Sequence, residues 1–172
     1  MLKIGILGQS NVSNILLKIY KTCSVSVNSD SFFENIMNQR IFISKEFNLC
    51  FLVADILKEK TLLEKFTAND IVLLNSDDKE NFDILKNNSI RVITYGLNAK
   101  ACVTASSICE EDNKTIQFCI QRSLPTFSGK ILEEQEFPIT VKAQNDVNTI
   151  LAAITVALIN DFNINNIKSS VL

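Results

Sequence analysis

The chain has 172 residues, a formal net charge of -2 and 47% hydrophobic residues, enough for one domain with a core of its own. The near-neutral balance and the lack of any long basic run argue against a nucleic-acid surface. No apolar run approaches the ~20 residues of a membrane helix, and no charged leader precedes an apolar stretch, so a cytoplasmic protein without a membrane partner is expected.

The five cysteines are Cys23, Cys50, Cys102, Cys109 and Cys119, with no C-x-x-C and no histidine in the chain. That pattern disfavours a disulfide framework and a zinc site, and reads as small apolar residues in a reducing compartment. The missing histidine also removes the usual general base and the commonest metal ligand.

Leu2 to Leu7 is an apolar run that reads as a strand, followed by the turn sequence Gly8-Gln-Ser-Asn-Val-Ser-Asn14. A helix through Tyr20 should follow, with Val12, Ile15, Leu16 and Ile19 on one face. Strand, glycine turn and helix is the context of a phosphate-binding loop, and equally of a plain βα turn capped by Ser10 or Asn11. Cys23 to Asn28 alternates as a short strand, and Asp30 or Ser31 could cap a helix through Phe33, Ile36 and Met37. Phe47 to Val53 has the near-continuous apolar character of a strand covered on both faces. Helices are expected over Asp55 to Phe66 and Lys79 to Asn87, on either side of a strand from Asp70 to Asn75. Asp77 and Asp78 stand at a strand C-terminus, where they could hold Mg²⁺ or, as the preferred reading, cap the next helix.

Arg91 to Tyr95 is β-branched and aromatic and stops at Gly96, the place for a sharp exit. From Ala101 to Val141 the pattern turns antiparallel: Cys102 to Ile108, a turn at Glu110 to Asn113, Thr115 to Arg122, then Gly129 to Thr140. A long apolar helix should open near Asn145, with Ile150, Leu151, Ile154 and Leu158 at core spacing, and a short helix should close the sequence. The fold class is therefore α/β: a mostly parallel sheet flanked by helices, with a small antiparallel β-element over residues 101–141 of a single domain spanning residues 1–172.

Several of these strings together resemble the central, ATP-binding domain of the Mur ligase family. Thr94-Tyr-Gly-Leu-Asn-Ala-Lys-Ala-Cys-Val-Thr-Ala-Ser-Ser-Ile108 resembles its TYG-N-KA-VTAS-I segment, and Leu73-Leu-Asn-Ser-Asp-Asp78 its NaDD segment. Ile4 to Asn14 aligns without a gap to IGITGTNGKTT, and Gln144-Asn-Asp-Val-Asn-Thr-Ile-Leu-Ala-Ala153 resembles GxHNxxNxLAA. The resemblance covers one family domain of three. It implies an ancestral nucleotide site with Gly8, Ser10, Asn11 and Ser13 toward the phosphates and Asn145 and Asn148 toward the adenine. The alternative for Asn145 is a helix cap.

The departures bear on function. Val12 stands at the family's phosphate lysine, Asn11 at the glycine before it, and Gln144 at the motif histidine. Between the first helix and Asn75 no counterpart of the metal-binding glutamate, histidine and lysine is recognisable. Amide ligation through an acyl phosphate needs those charges. The expectation is a non-catalytic homologue, with no catalytic residues, no metal and no required cofactor, that binds a protein partner, a second copy of itself or a small ligand. Its alternatives are an ATP-dependent acid–amino acid ligase completed by other chains, and a sensor that holds an adenine nucleotide weakly.

Overall fold

Short β-branched runs and one long apolar run dictate the architecture of the chain, seen in a computed structural model that describes residues 3–7, 12–22, 33–35, 50–54, 71–79 and 91–170. Ten strands are described: β1 (Lys3–Leu7), β2 (Phe33–Asn35), β3 (Cys50–Ala54), β4 (Ile71–Asn75), β5 (Arg91–Tyr95), β6 (Val103–Glu110), β7 (Lys114–Ile120), β8 (Leu124–Pro125), β9 (Ile131–Leu132) and β10 (Gln135–Val141). With them are three helices, α1 (Val12–Thr22), α2 (Val147–Ile159) and α3 (Ile164–Ser170). Eight strands form one sheet in the order β10-β7-β6-β5-β4-β3-β1-β2, and β8 and β9 pair separately.

The six strands from β2 to β6 across the sheet are parallel. Ile71 to Leu74 of β4 are all buried, as a strand with both faces covered requires. β5 and β6 share a single paired position, Tyr95 with Val103. So β6 begins where β5 ends and runs on past it. β7 and β10 then add antiparallel, building a ledge beyond the C-terminal edge of the parallel strands. The expected antiparallel element is thus an extension of the main sheet, with only β8 and β9 apart from it. The expected strand over Gly129 to Thr140 is divided into β9 and β10. Pro138 lies within β10 opposite Gln117, a place open to proline because β10 is an edge strand with ladder bonds on one side only.

One expected helix is corrected. Phe33 to Asn35, read as part of a helix through Phe33, Ile36 and Met37, are a strand paired parallel to Ile4, Gly5 and Ile6 of β1. The open edge of β1 offers ladder bonds, and these outweigh a weak local helix preference. The expected strand over residues 23–28 and the helices over 55–66 and 79–87 fall outside the described residues, apart from Lys79.

α2 is apolar all round: every residue except Asn148 is buried, the signature of a helix enclosed on all sides. It packs on β5 and β6 beneath and on α1 and α3 beside it. Ala152, Ala153 and Ala157 are completely buried and let backbones approach closely. α1 turns Val12, Ile15, Leu16 and Ile19 inward, as its spacing predicts. Tyr20 meets Phe162 edge-on at 4.5 Å between ring centroids, and Phe118 stacks on Phe137 at 5.0 Å across β7 and β10. Lys168 of α3 lies 5.2 Å above the Phe137 ring, fastening that helix to the edge strand.

Candidate functional site

The loops leaving β4 and β5 meet at the C-terminal edge of the parallel strands, under the N-terminus of α2. Ser76 N donates to Tyr95 O at 2.7 Å and Ser76 Oγ to the same oxygen at 3.1 Å, which joins the two strand ends. The Asp77 carboxylate reaches across to the second loop. Leu97 N donates to both of its oxygens at 3.0 Å, and Asn98 Nδ2 to Oδ1 at 2.7 Å. Asn98 Nδ2 also donates to Ser76 Oγ at 2.8 Å, while Asp77 N donates to Asn75 Oδ1 at 2.9 Å.

The crossing is close enough to need Gly96 between the strands. Its φ is +154°, and a Cβ built there would stand 2.8 Å from Asp77 Oδ1 and 2.9 Å from Ser76 Oγ. A side chain at this position would collide with the carboxylate and force the backbone out of its ordinary range.

α2 supplies the third wall. Its N-cap is Asp146, whose Oδ2 accepts from Thr149 N at 2.9 Å and from Thr149 Oγ1 at 3.1 Å. Asn145, the alternative cap in the sequence reading, lies one residue earlier. Its carbonyl accepts from Lys114 Nζ at 3.0 Å, and its side chain is half-buried without a hydrogen bond to any described residue. One turn on, Asn148 Nδ2 donates to Asp77 Oδ2 at 3.3 Å. Asn148 Oδ1 is buried and accepts no hydrogen bond among the described residues.

The structure therefore brings Asn148 to the Asp77 cluster and places Asn145 at the mouth of the same helix. Ser13 sits in the first turn of α1, while Gly8, Ser10 and Asn11 lie outside the described residues. Asn98 and Ser76 were not singled out from sequence. Their signal was an amide-bearing side chain two residues after the Gly96 exit and a hydroxyl directly before the paired aspartates. The Asp77 carboxylate ties one strand-end loop to the next and to α2, and the helix that Asp77 and Asp78 were expected to cap lies outside the described residues, apart from Lys79.

An α/β sheet with polar groups gathered outside the C-termini of its parallel strands places ligands at that edge. No family model matches the chain, and no curated protein matches it. Among solved structures it is similar to MurF from Acinetobacter baumannii, with a TM-score of 0.64 at 10% identity over 99% of this chain and 45% of that one. It is also similar to UDP-N-acetylmuramate-alanine ligase MurC from Thermotoga maritima, with a TM-score of 0.58 at 10% identity over 99% and 44%. The chain thus has a Mur ligase-like α/β fold and spans less than half the length of these two ligases.

A nucleotide and its magnesium, which the sequence resemblance implies, fit the residues unequally. Both Asp77 oxygens already accept N–H donors, an arrangement that suits amides and not a metal ion. Val12, at the position of the family's phosphate lysine, is 1% exposed and opens α1 inside the core. The unpaired Asn148 oxygen, by contrast, fits a ligand N–H.

Proposed function

We propose that the chain is a Mur ligase-like central domain without ligase catalysis, which acts by binding, and that a nucleotide enters its site base-first. The observation that carries this reading is Val12. A core side chain occupies the place where the family string has a lysine facing the β- and γ-phosphates, and a buried valine offers them no charge. Losing a charge-assisted contact of that kind removes about 1.5–3 kcal/mol of binding. Asparagine amides on a base edge supply about 0.5–1.5 kcal/mol each. What supports the base-led mode is the pair Asn145 and Asn148 at the start of α2, one side chain unengaged and the other with a buried acceptor unused. The chain holds an adenine nucleoside weakly in this mode, and neither hydrolyses ATP nor joins an amino acid to a UDP-linked precursor.

Isothermal titration with adenosine and with ATP, each with and without Mg²⁺, tests this directly. Similar, weak affinities with no effect of Mg²⁺ are expected. ATP binding a hundredfold tighter than adenosine, binding that requires Mg²⁺, or phosphate release that scales with pure protein would overturn it.

A further inference from the structure

The ledge strand β6 has an open side. It pairs with β5 only at Val103, while β7 runs along its other side from Val103 to Glu110. Among the described residues no strand pairs with the β5 side of the run from Thr104 to Glu110. Ser106 to Glu110 are all exposed, and Ile108, in the middle of them, is 41% exposed. A row of backbone N–H and C=O groups left open in this way is a template for another strand. A bulge bends β6 between Ala105 and Ser107, at the root of the overhang, and from Ser107 to Glu110 the register with β7 is regular.

The outer edge of the same ledge is guarded. β10 carries Glu136 and Pro138, α3 packs against it and Lys168 stands over its Phe137. Charge, proline and a covering helix are the usual means by which an edge refuses a partner. From Thr104 to Cys109, β6 has neither a charge nor a proline. Its charges stand at the two ends: Glu110, Glu111 and Asp112 in an exposed acidic turn, and Lys100 exposed before the strand begins. An antiparallel copy of the same strand matches this arrangement. With a two-fold axis at Ile108, each isoleucine faces its twin, Ser106 faces Glu110, and the acidic turn of either copy lies toward Lys100 of the other. The two Glu110 carboxylates fall at opposite ends of the pairing, so no like charges meet.

We propose that the open edge of β6 docks a second copy of this chain, β6 pairing antiparallel with β6 about Ile108 and joining the two ledges into one continuous sheet. The inference stands apart from the nucleotide reading and gives the binding function a partner. The exposed run from Ser106 to Glu110 is far shorter than the roughly 20–30 residues a side of a standard interface. The dimer is therefore weak, with a Kd on the order of 100 µM.

Sedimentation equilibrium of the whole chain, from about 10 to about 500 µM, tests this, since association follows mass action. Dimer should appear over that range. Ile108→Lys sets two like charges at the axis and should weaken association at least about tenfold, with circular dichroism confirming a folded chain. A chain that stays monomeric at about 500 µM overturns the proposal, and so does an Ile108→Lys variant that associates unchanged. Cross-linking reads the register. In a Cys109→Ser background, Ile108→Cys should form a disulfide with its twin when oxidised glutathione is added; the glutathione disulfide takes up the two electrons and both thiol protons and leaves as two reduced molecules. Ser106→Cys in the same background, far from its twin, should cross-link at least about tenfold more slowly. Equal rates overturn the proposed pairing.

Discussion

Replacing Gly96 by alanine strikes the crossing on which the site is built. A new Cβ would stand 2.8 Å from Asp77 Oδ1, 2.9 Å from Ser76 Oγ and 3.0 Å from Asp77 Cγ. The backbone at φ +154° adds a strain of about 1–3 kcal/mol. Pushing the carboxylate off Leu97 N forfeits a bond to a charged group, about 1.5–3 kcal/mol. Together the change should destabilise by about 2.5–6 kcal/mol, or about 5–24 °C in melting temperature for a chain of this size. Gly129→Ala is the control. Its φ is +85°, but nothing lies within 4 Å of the added carbon, so only the left-handed penalty of about 1–2 kcal/mol remains. Urea denaturation of both variants, with equal m-values, gives the comparison. If Gly96→Ala proves no more harmful than Gly129→Ala, the close crossing at Asp77 is not what holds these loops together.

Leu151 is completely buried in α2, and Leu151→Ala should lower stability by about 2–5 kcal/mol; a change below 1 kcal/mol by the same denaturation would refute its place in the core. Burial would raise the Asp161 carboxyl, but hydrogen bonds from Ser128 Oγ, Thr126 Oγ1 and Ser128 N, with Lys130 beyond, hold it below its ordinary value. Its contribution is therefore present above about pH 4, the unfolded value, and is lost as pH falls through the lower folded value. Asp161→Asn should be the less stable protein at pH 7, with the gap closing below pH 4; a gap constant with pH would refute this. Cys119 is raised to about 11 by burial and by Glu136 beside it on β10, whereas Cys109 is exposed. Iodoacetamide at pH 8 should alkylate Cys109 well before Cys119, as peptide mapping by mass spectrometry will reveal.

The parallel half of the sheet was legible because β4 and β5 are short, branched and bounded, and their described limits fall within a residue of the sequence reading. The faces of α1 and the enclosure of α2 followed equally from periodicity. What sequence did not disclose was pairing. Nothing in Phe33-Glu-Asn35 announces a partner on β1, and nothing in the run from Gly129 to Thr140 says that its two ends belong to different sheets. The site was half visible for the same reason. Asp77 and Asn148 were noticed one at a time, but their meeting across 71 positions depends on a stagger between β5 and β6 that no local pattern encodes. Asp146 took the cap from Asn145 by a single residue, within the uncertainty of any helix boundary read from sequence.

A helix with no wet side also says something about how the chain acquires its shape. α2 cannot shelter its apolar surface in water by itself, since almost every residue needs a neighbour from the sheet, from α1 or from α3. During synthesis that neighbourhood emerges first: strands β1 to β10 and α1 leave the ribosome before residue 147 does. They wait with an open furrow until the thirteen residues of α2 arrive to close it. Contacts between α1 and α2 bridge more than a hundred positions, and such distant closures slow folding. α2 thus works as a keystone, and a nascent chain halted before it would leave the furrow bare to chaperones and proteases.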